Sequence, residues 1–129
     1  MNNPAIQIHV TTEYLPRQSE PERHRFAFAY HITIENGGDA AAQLISRHWI
    51  ITDANERRQE VRGLGVIGEQ PVIAPGQSYR YTSGAILDTE VGTMGGRYQM
   101  RGHNGGQFDV PLPTLVPAHP PPGHLPAAA

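Results

Sequence analysis

Arg25-Phe26-Ala27-Phe28-Ala29-Tyr30-His31-Ile32-Thr33-Ile34-Glu35 alternates without a break between large apolar side chains and small or polar ones. Phe26, Phe28, Tyr30, Ile32 and Ile34 share one parity, and Arg25, Ala27, Ala29, His31, Thr33 and Glu35 the other. A period of two belongs to an extended chain whose successive side chains point to opposite faces, so this is a β-strand with one face in a core. Asn36-Gly37-Gly38-Asp39 then closes it with residues that tolerate positive φ.

The same alternation continues to either side. Upstream, Ile6, Ile8 and Val10 alternate with Gln7, His9 and Thr11 to give a first strand, and the polar stretch from Glu13 to Arg25, with Pro16 and Pro21, predicts a long exposed connection. Downstream, Gln43 to Asp53 predicts a central strand with Ile45, Trp49 and Ile51 on one face and Leu44, His48 and Ile50 on the other; Trp49 is its expected core anchor. Glu60 to Leu64, Gln77 to Ser83, Gly96 to His103 and Gln107 to Leu112 complete about seven short strands. No window sustains the 3.6-residue period of a helix. Short strands punctuated by turn residues predict an all-β, immunoglobulin-like β-sandwich.

From Pro111 onward seven of the last nineteen residues are Pro. Such a composition cannot bury enough apolar area to offset its ordering entropy. Residues 1–113 are therefore the expected domain and 114–129 a Pro-rich disordered tail of polyproline II character, in which Pro117 and Pro120 have P-x-x-P spacing.

Composition excludes several function classes. The 129 residues carry 10 basic and 12 acidic side chains, a net charge of −2, which lacks the positive excess of a DNA-binding protein. No apolar run has the length of a membrane crossing, and the N-terminal residues lack a basic segment followed by an apolar one, so a cytoplasmic location is expected. Cysteine is absent, which removes disulfides, thiolate nucleophiles and Cys-ligated metals. Ser46, Ser78 and Ser83 have no G-x-S-x-G setting, and the histidines form no H-E-x-x-H, so neither an enzyme nor a cofactor is indicated. Asp39, Asp53, Asp88 and Asp109 are far apart in sequence, and a cation site would need the fold to gather them.

Gly63-Leu64-Gly65-Val66-Ile67-Gly68 is a literal G-x-G-x-x-G. In a dinucleotide fold those glycines open a helix whose amides hold a pyrophosphate. Here Pro71 and Pro75 follow within eight residues and no such helix fits. Glycines at a strand-to-strand turn are the simpler expectation; an anion nest of backbone amides is the functional one. Arg97 and Arg101 share a strand face and would supply the charge for such an anion site.

Val61 to Gly76, then Tyr81-Thr82-Ser83-Gly84 and Gly92-Thr93-Met94-Gly95-Gly96-Arg97-Tyr98, resemble the bacterial ApaG family, as do Ser46 to Asp53 and the Tyr30 to Asn36 strand. The likeness runs to about Pro113. It implies a fibronectin type III-like β-sandwich and a recognition role, since the same domain occurs in eukaryotic F-box proteins and in a polymerase delta interacting protein. It also implies a link to magnesium and cobalt handling, and a pyrophosphate contact at Gly63, Gly65 and Gly68. The leading expectation is a non-enzymatic binding module with a protein partner not yet identified. A nucleotide or pyrophosphate site built on Gly63, Gly65, Gly68, Arg97 and Arg101 is the alternative, with direct divalent-cation binding behind it.

Overall fold

The computed structural model describes residues 5–119 as two antiparallel sheets packed face to face. β1 (Ile6–Tyr14), β2 (Phe26–Asn36) and β6 (Ser78–Leu87) form a three-stranded sheet in the order β1-β2-β6. The second sheet has the order β4-β3-β7-β8, from β4 (Arg58–Leu64), β3 (Ala42–Asp53), β7 (Gly92–Gly102) and β8 (Gln107–Leu115). A two-residue β5 (Val72–Ile73) continues the β4 edge against β3. This is the expected all-β sandwich, with eight strands in place of about seven; β5 is too short to leave a periodic signal.

β2 carries the core as its alternation requires: Phe26, Phe28, Tyr30, Ile32 and Ile34 are all buried. They face Leu44, Trp49, Ile51, Met94, Tyr98 and Met100 of the other sheet, with Trp49 against Tyr30 at 5.2 Å between ring centroids and edge-on to Tyr98 at 6.4 Å. Ala27 and Ala29, expected on the solvent face, are buried too. Short side chains on a central strand are overtopped by their cross-strand neighbours, here Glu13 beside Ala29 and Ile86 beside Ala27.

Three expectations fail for identifiable reasons. Ile45 does not share the core face with Trp49, because β3 bulges between Leu44 and Ser46 in its pairing with β7. One extra residue reverses the parity, so Leu44 is fully buried and Ile45 is not. β1 runs on to Tyr14, shortening the connection to residues 15–25, which contain two 3-10 turns at Pro16–Gln18 and Pro21–Arg23. The fold also continues past Pro113: Gly92 N–H donates to Pro117 O at 3.1 Å, His119 N–H donates to Glu90 O at 2.7 Å, and the His119 ring sits edge-on to Tyr14 at 4.4 Å. Residues 114–119 thus belong to the domain and Pro117 of the P-x-x-P spacing is buried in it. Pro120 and the rest of the expected tail lie outside the described residues.

Candidate functional site

The glycine-rich loop begins where β4 runs out. One step beyond the Ser46–Leu64 pair of the β3–β4 register, the Ile45 carbonyl accepts from Gly65 N–H at 2.7 Å and from Gln70 Nε2 at 3.0 Å. Arg47 lies two residues on and its guanidinium donates to Gly65 O at 2.8 Å and Leu64 O at 3.3 Å. It crosses over Gly63, where an added Cβ would come within 2.9 Å of an Arg47 nitrogen. Val66 then plugs into the core. Val66 and Glu69 exchange backbone hydrogen bonds at 2.8 and 2.9 Å around Ile67 and Gly68, both at positive φ (42° and 81°). Two central residues at positive φ closed by reciprocal bonds are a type I′ hairpin turn. A Cβ on Gly65, itself at φ 64°, would stand 2.0 Å from Glu69 O. Gly65 and Gly68 therefore answer demands of the turn and Gly63 the crossing of Arg47 over the strand, and the amides of Gly65, Val66 and Glu69 are already donors within the fold.

The tip of that turn is unusual. Ile67 is β-branched and holds φ 42°, a conformation that crowds its side chain, yet it is 57% exposed. Leu64, 74% exposed, stands opposite Ser46, and Val72, 64% exposed, stands opposite Gln43. Leu64 and Val72 thus stand on the β4–β5 edge of the five-stranded sheet, and the turn that carries Ile67 connects the two strands.

Next to this edge the outer face of the sheet is cationic. Register places Arg62 of β4 and Arg97 of β7 on either side of His48 in β3, forming one row across three strands. The row borders a shallow groove of about 410 Å³, with Gly63 and Leu64 at one wall and Asp109 at the other. Arg62 approaches Glu60 at 3.5 Å and Arg97 approaches Asp109 at 3.9 Å, contacts long and exposed enough to leave both guanidinium groups available. His48 Nε2 is buried without a hydrogen-bond partner, 3.8 Å from Glu60.

Of the residues singled out in the sequence, Gly63 and Arg97 meet at this groove. Gly65 and Gly68 belong to the turn and do not line it. Arg101 shares the outer face but lies one end away, opposite Gln43 and Gln107 in a separate depression with Val72 and His103. Sequence reasoning missed Arg62, His48 and Arg47, whose convergence depends on the β3–β4 register. The four aspartates are not gathered: Asp53 accepts from Asn55 and Arg57 amides in a tight turn, Asp88 pairs with Arg57 and Asp109 with Arg97. Among the described residues no three His, Asp or Glu side chains converge on a cation position.

Between the sheets, the hydroxyls of Tyr81 and Tyr98 hydrogen-bond to each other. Burial pushes the Tyr81 phenol up to about 12, against relief from its bond to Tyr98, and raises Tyr98 further still. Both are neutral structural groups near neutral pH.

A family model for the ApaG domain matches residues 16–102. The chain belongs to the ApaG family. Among its relatives, Protein ApaG of Pseudomonas paraeruginosa is 59% identical over 110 residues, 85% of this chain and 87% of the relative. Protein ApaG of Aromatoleum aromaticum is 54% identical over 115 residues, 89% of this chain and 91% of the relative. A crystal structure described as the putative ApaA protein from Bordetella pertussis superposes with a TM-score of 0.87 at 51% identity, covering 89% of this chain and 94% of that one. Membership extends the fold assignment to the ApaG sandwich. No helix among the described residues is long and apolar enough to cross a membrane.

Proposed function

We propose that this ApaG chain is a non-enzymatic binding module that docks a protein partner on the outer face of its five-stranded sheet. The observation that carries the reading is Ile67, a β-branched residue kept at positive φ on an exposed turn. Backbone strain of this kind costs about 1–3 kcal/mol and persists where surrounding structure enforces it, commonly at sites of recognition. With Leu64 and Val72 it supplies an apolar anchor, and Arg62 and Arg97 supply a charged flank, so the partner surface is acidic with an aliphatic pocket. Four strands at the usual spacing give a face of roughly 20 Å by 30 Å, about 600 Å², which with the protruding turn approaches the ~800 Å² of a standard interface. Any influence on magnesium or cobalt handling then runs through the partner. Capture from a bacterial lysate by immobilised wild-type chain tests this against Ile67→Asn and against Arg62→Glu combined with Arg97→Glu. The reading predicts that both folded variants release the same protein; retention of it by both contradicts the reading.

A small anionic ligand is the second reading, favoured by His48 Nε2, which has no hydrogen-bond partner and lies between two arginines with Glu60 at 3.8 Å. Amide-resolved NMR titration with ATP and a diadenosine polyphosphate tests it. Saturable shifts confined to His48, Arg62 and Arg97 would move the assignment from protein partner to phosphate.

A further inference from the structure

The sandwich has strand edges that differ sharply in how they are defended. β1 lies against β8 along one flank. The free edge of β8 contains Pro111 and Pro113, and β4 carries Arg58, Glu60 and Arg62 within seven residues. Prolines and charges of this kind prevent an edge from accepting another strand. β6 has neither. Its ten residues, Ser78 to Leu87, contain no proline and a single charge, Arg80, and its pairing with β2 runs without a bulge.

Its hydrogen-bonding groups face outward in a defined set. Asn36 N–H donates to Gln77 O, which makes the odd-numbered residues of β6 the ones that exchange bonds with β2. The amides and carbonyls of Arg80, Thr82, Gly84 and Ile86 therefore point to the open edge, and all four residues are exposed. Ile86 O accepts from Gln59 Nε2 at 3.2 Å, which confirms the direction. No described residue partners the outward backbone of Arg80, Thr82 or Gly84.

We infer that β6 is a self-pairing edge through which two copies of this chain join antiparallel into one six-stranded sheet. A second copy fits because the strand is complementary to itself under a two-fold axis. With the axis at Ser83, Thr82 stands opposite the partner's Gly84 and Arg80 opposite the partner's Ile86. The only charge then lies at opposite ends of the paired strands, about 20 Å from its copy along the sheet, so like charges never meet. Thr82, whose hydroxyl is held by His31 Nδ1 at 3.0 Å on its own sheet, stands beside the side-chain gap that Gly84 leaves. The groove at His48 is on the outer face of the other sheet, whereas the turn that carries Ile67 meets β6 where Tyr79 Oη donates to Glu69 Oε1 at 3.2 Å.

Sedimentation equilibrium of the full chain from micromolar to millimolar concentration tests it. Wild type is expected to rise from the mass of one chain to that of two. Thr82→Lys places an ammonium at the middle of the edge on an exposed position, and Gly84→Pro removes an outward amide while bringing a Cβ 3.3 Å from Phe28 O of β2. Both are expected to stay monomeric with wild-type circular dichroism. Hydrogen exchange on the wild-type chain gives a reading that needs no variant: the amides of Thr82 and Gly84 are expected to slow by at least about tenfold from dilute to concentrated protein. A wild type that remains one chain at millimolar concentration overturns the inference. So does a dimer that survives Thr82→Lys, or one formed with no change in edge-amide exchange.

Discussion

Replacing Ile67 with Asn separates the conformational demand of the turn from the function of its side chain. At φ 42° a β-branched residue carries about 1–3 kcal/mol of strain, whereas Asn before Gly is the favoured pair for a type I′ turn. The opposing loss is small, because Ile67 is 57% exposed and less than half of its side chain leaves water, worth about 1 kcal/mol. The balance is a net stabilisation of about 1 kcal/mol, or about 4 °C in Tm for a domain of this size. Urea unfolding followed by tryptophan fluorescence reports it, since Trp49 is buried at the centre of the core. The expected result is a higher midpoint at unchanged slope. Ile67→Val, which keeps the branched carbon, is expected to leave the midpoint nearly in place. A lower midpoint for Ile67→Asn would refute the strain argument, because the side chain would then be contributing more packing than its exposure allows.

The two positive-φ glycines of the motif are expected to differ. Gly65→Ala collides with Glu69 O and should destabilise by about 2–4 kcal/mol, while Gly68→Ala, with open space around its Cβ, should lose only about 1 kcal/mol; equal losses by thermal unfolding would contradict the packing. Arg47→Ala leaves two loop carbonyls without their donor and should lower stability by about 1–3 kcal/mol, with faster exchange of the Gly65 and Val66 amides as the specific signature. High pH should unfold the domain through its buried phenols. Tyr81 is raised from 10.0 to about 12, so its neutral form contributes stability that is complete below pH 10 and is lost as pH rises through about 12, worth about 2–3 kcal/mol. Tyr81→Phe is expected to flatten that alkaline decline in urea midpoints, and an unchanged decline would assign it to other groups.

The legibility of this fold in its sequence follows from how local each cause is. β2 was readable because its alternation is unbroken and one face meets only apolar partners. The bulge at Ile45 was not, since Gln43 to Asp53 has apolar residues on both parities and nothing in the string marks the slipped position. That single slip decides which side chains of β3 enter the core, Leu44 in place of Ile45. The glycine motif was correctly denied a helix by Pro71 and Pro75, but the reason for each glycine lies in residues far along the chain: Arg47 over Gly63 and Glu69 against Gly65. Composition misjudged residues 114–119, whose one proline, Pro117, is buried and whose contacts are made with Glu90, Gly92 and Tyr14. The cationic row was invisible for the same reason as the bulge, since Arg62, His48 and Arg97 become neighbours only through strand register.

Position-specific photocrosslinking tests the central claim most directly. A photoreactive side chain is placed in turn at Ile67 and Gln99, on the proposed docking face, and at His9 and Thr11, exposed on the opposite sheet, and each full chain is irradiated in a bacterial lysate. The account predicts one adduct of common mass from Ile67 and Gln99 and none of that mass from His9 or Thr11. Adducts shared equally by both faces, or the common adduct appearing only from His9 and Thr11, would contradict it.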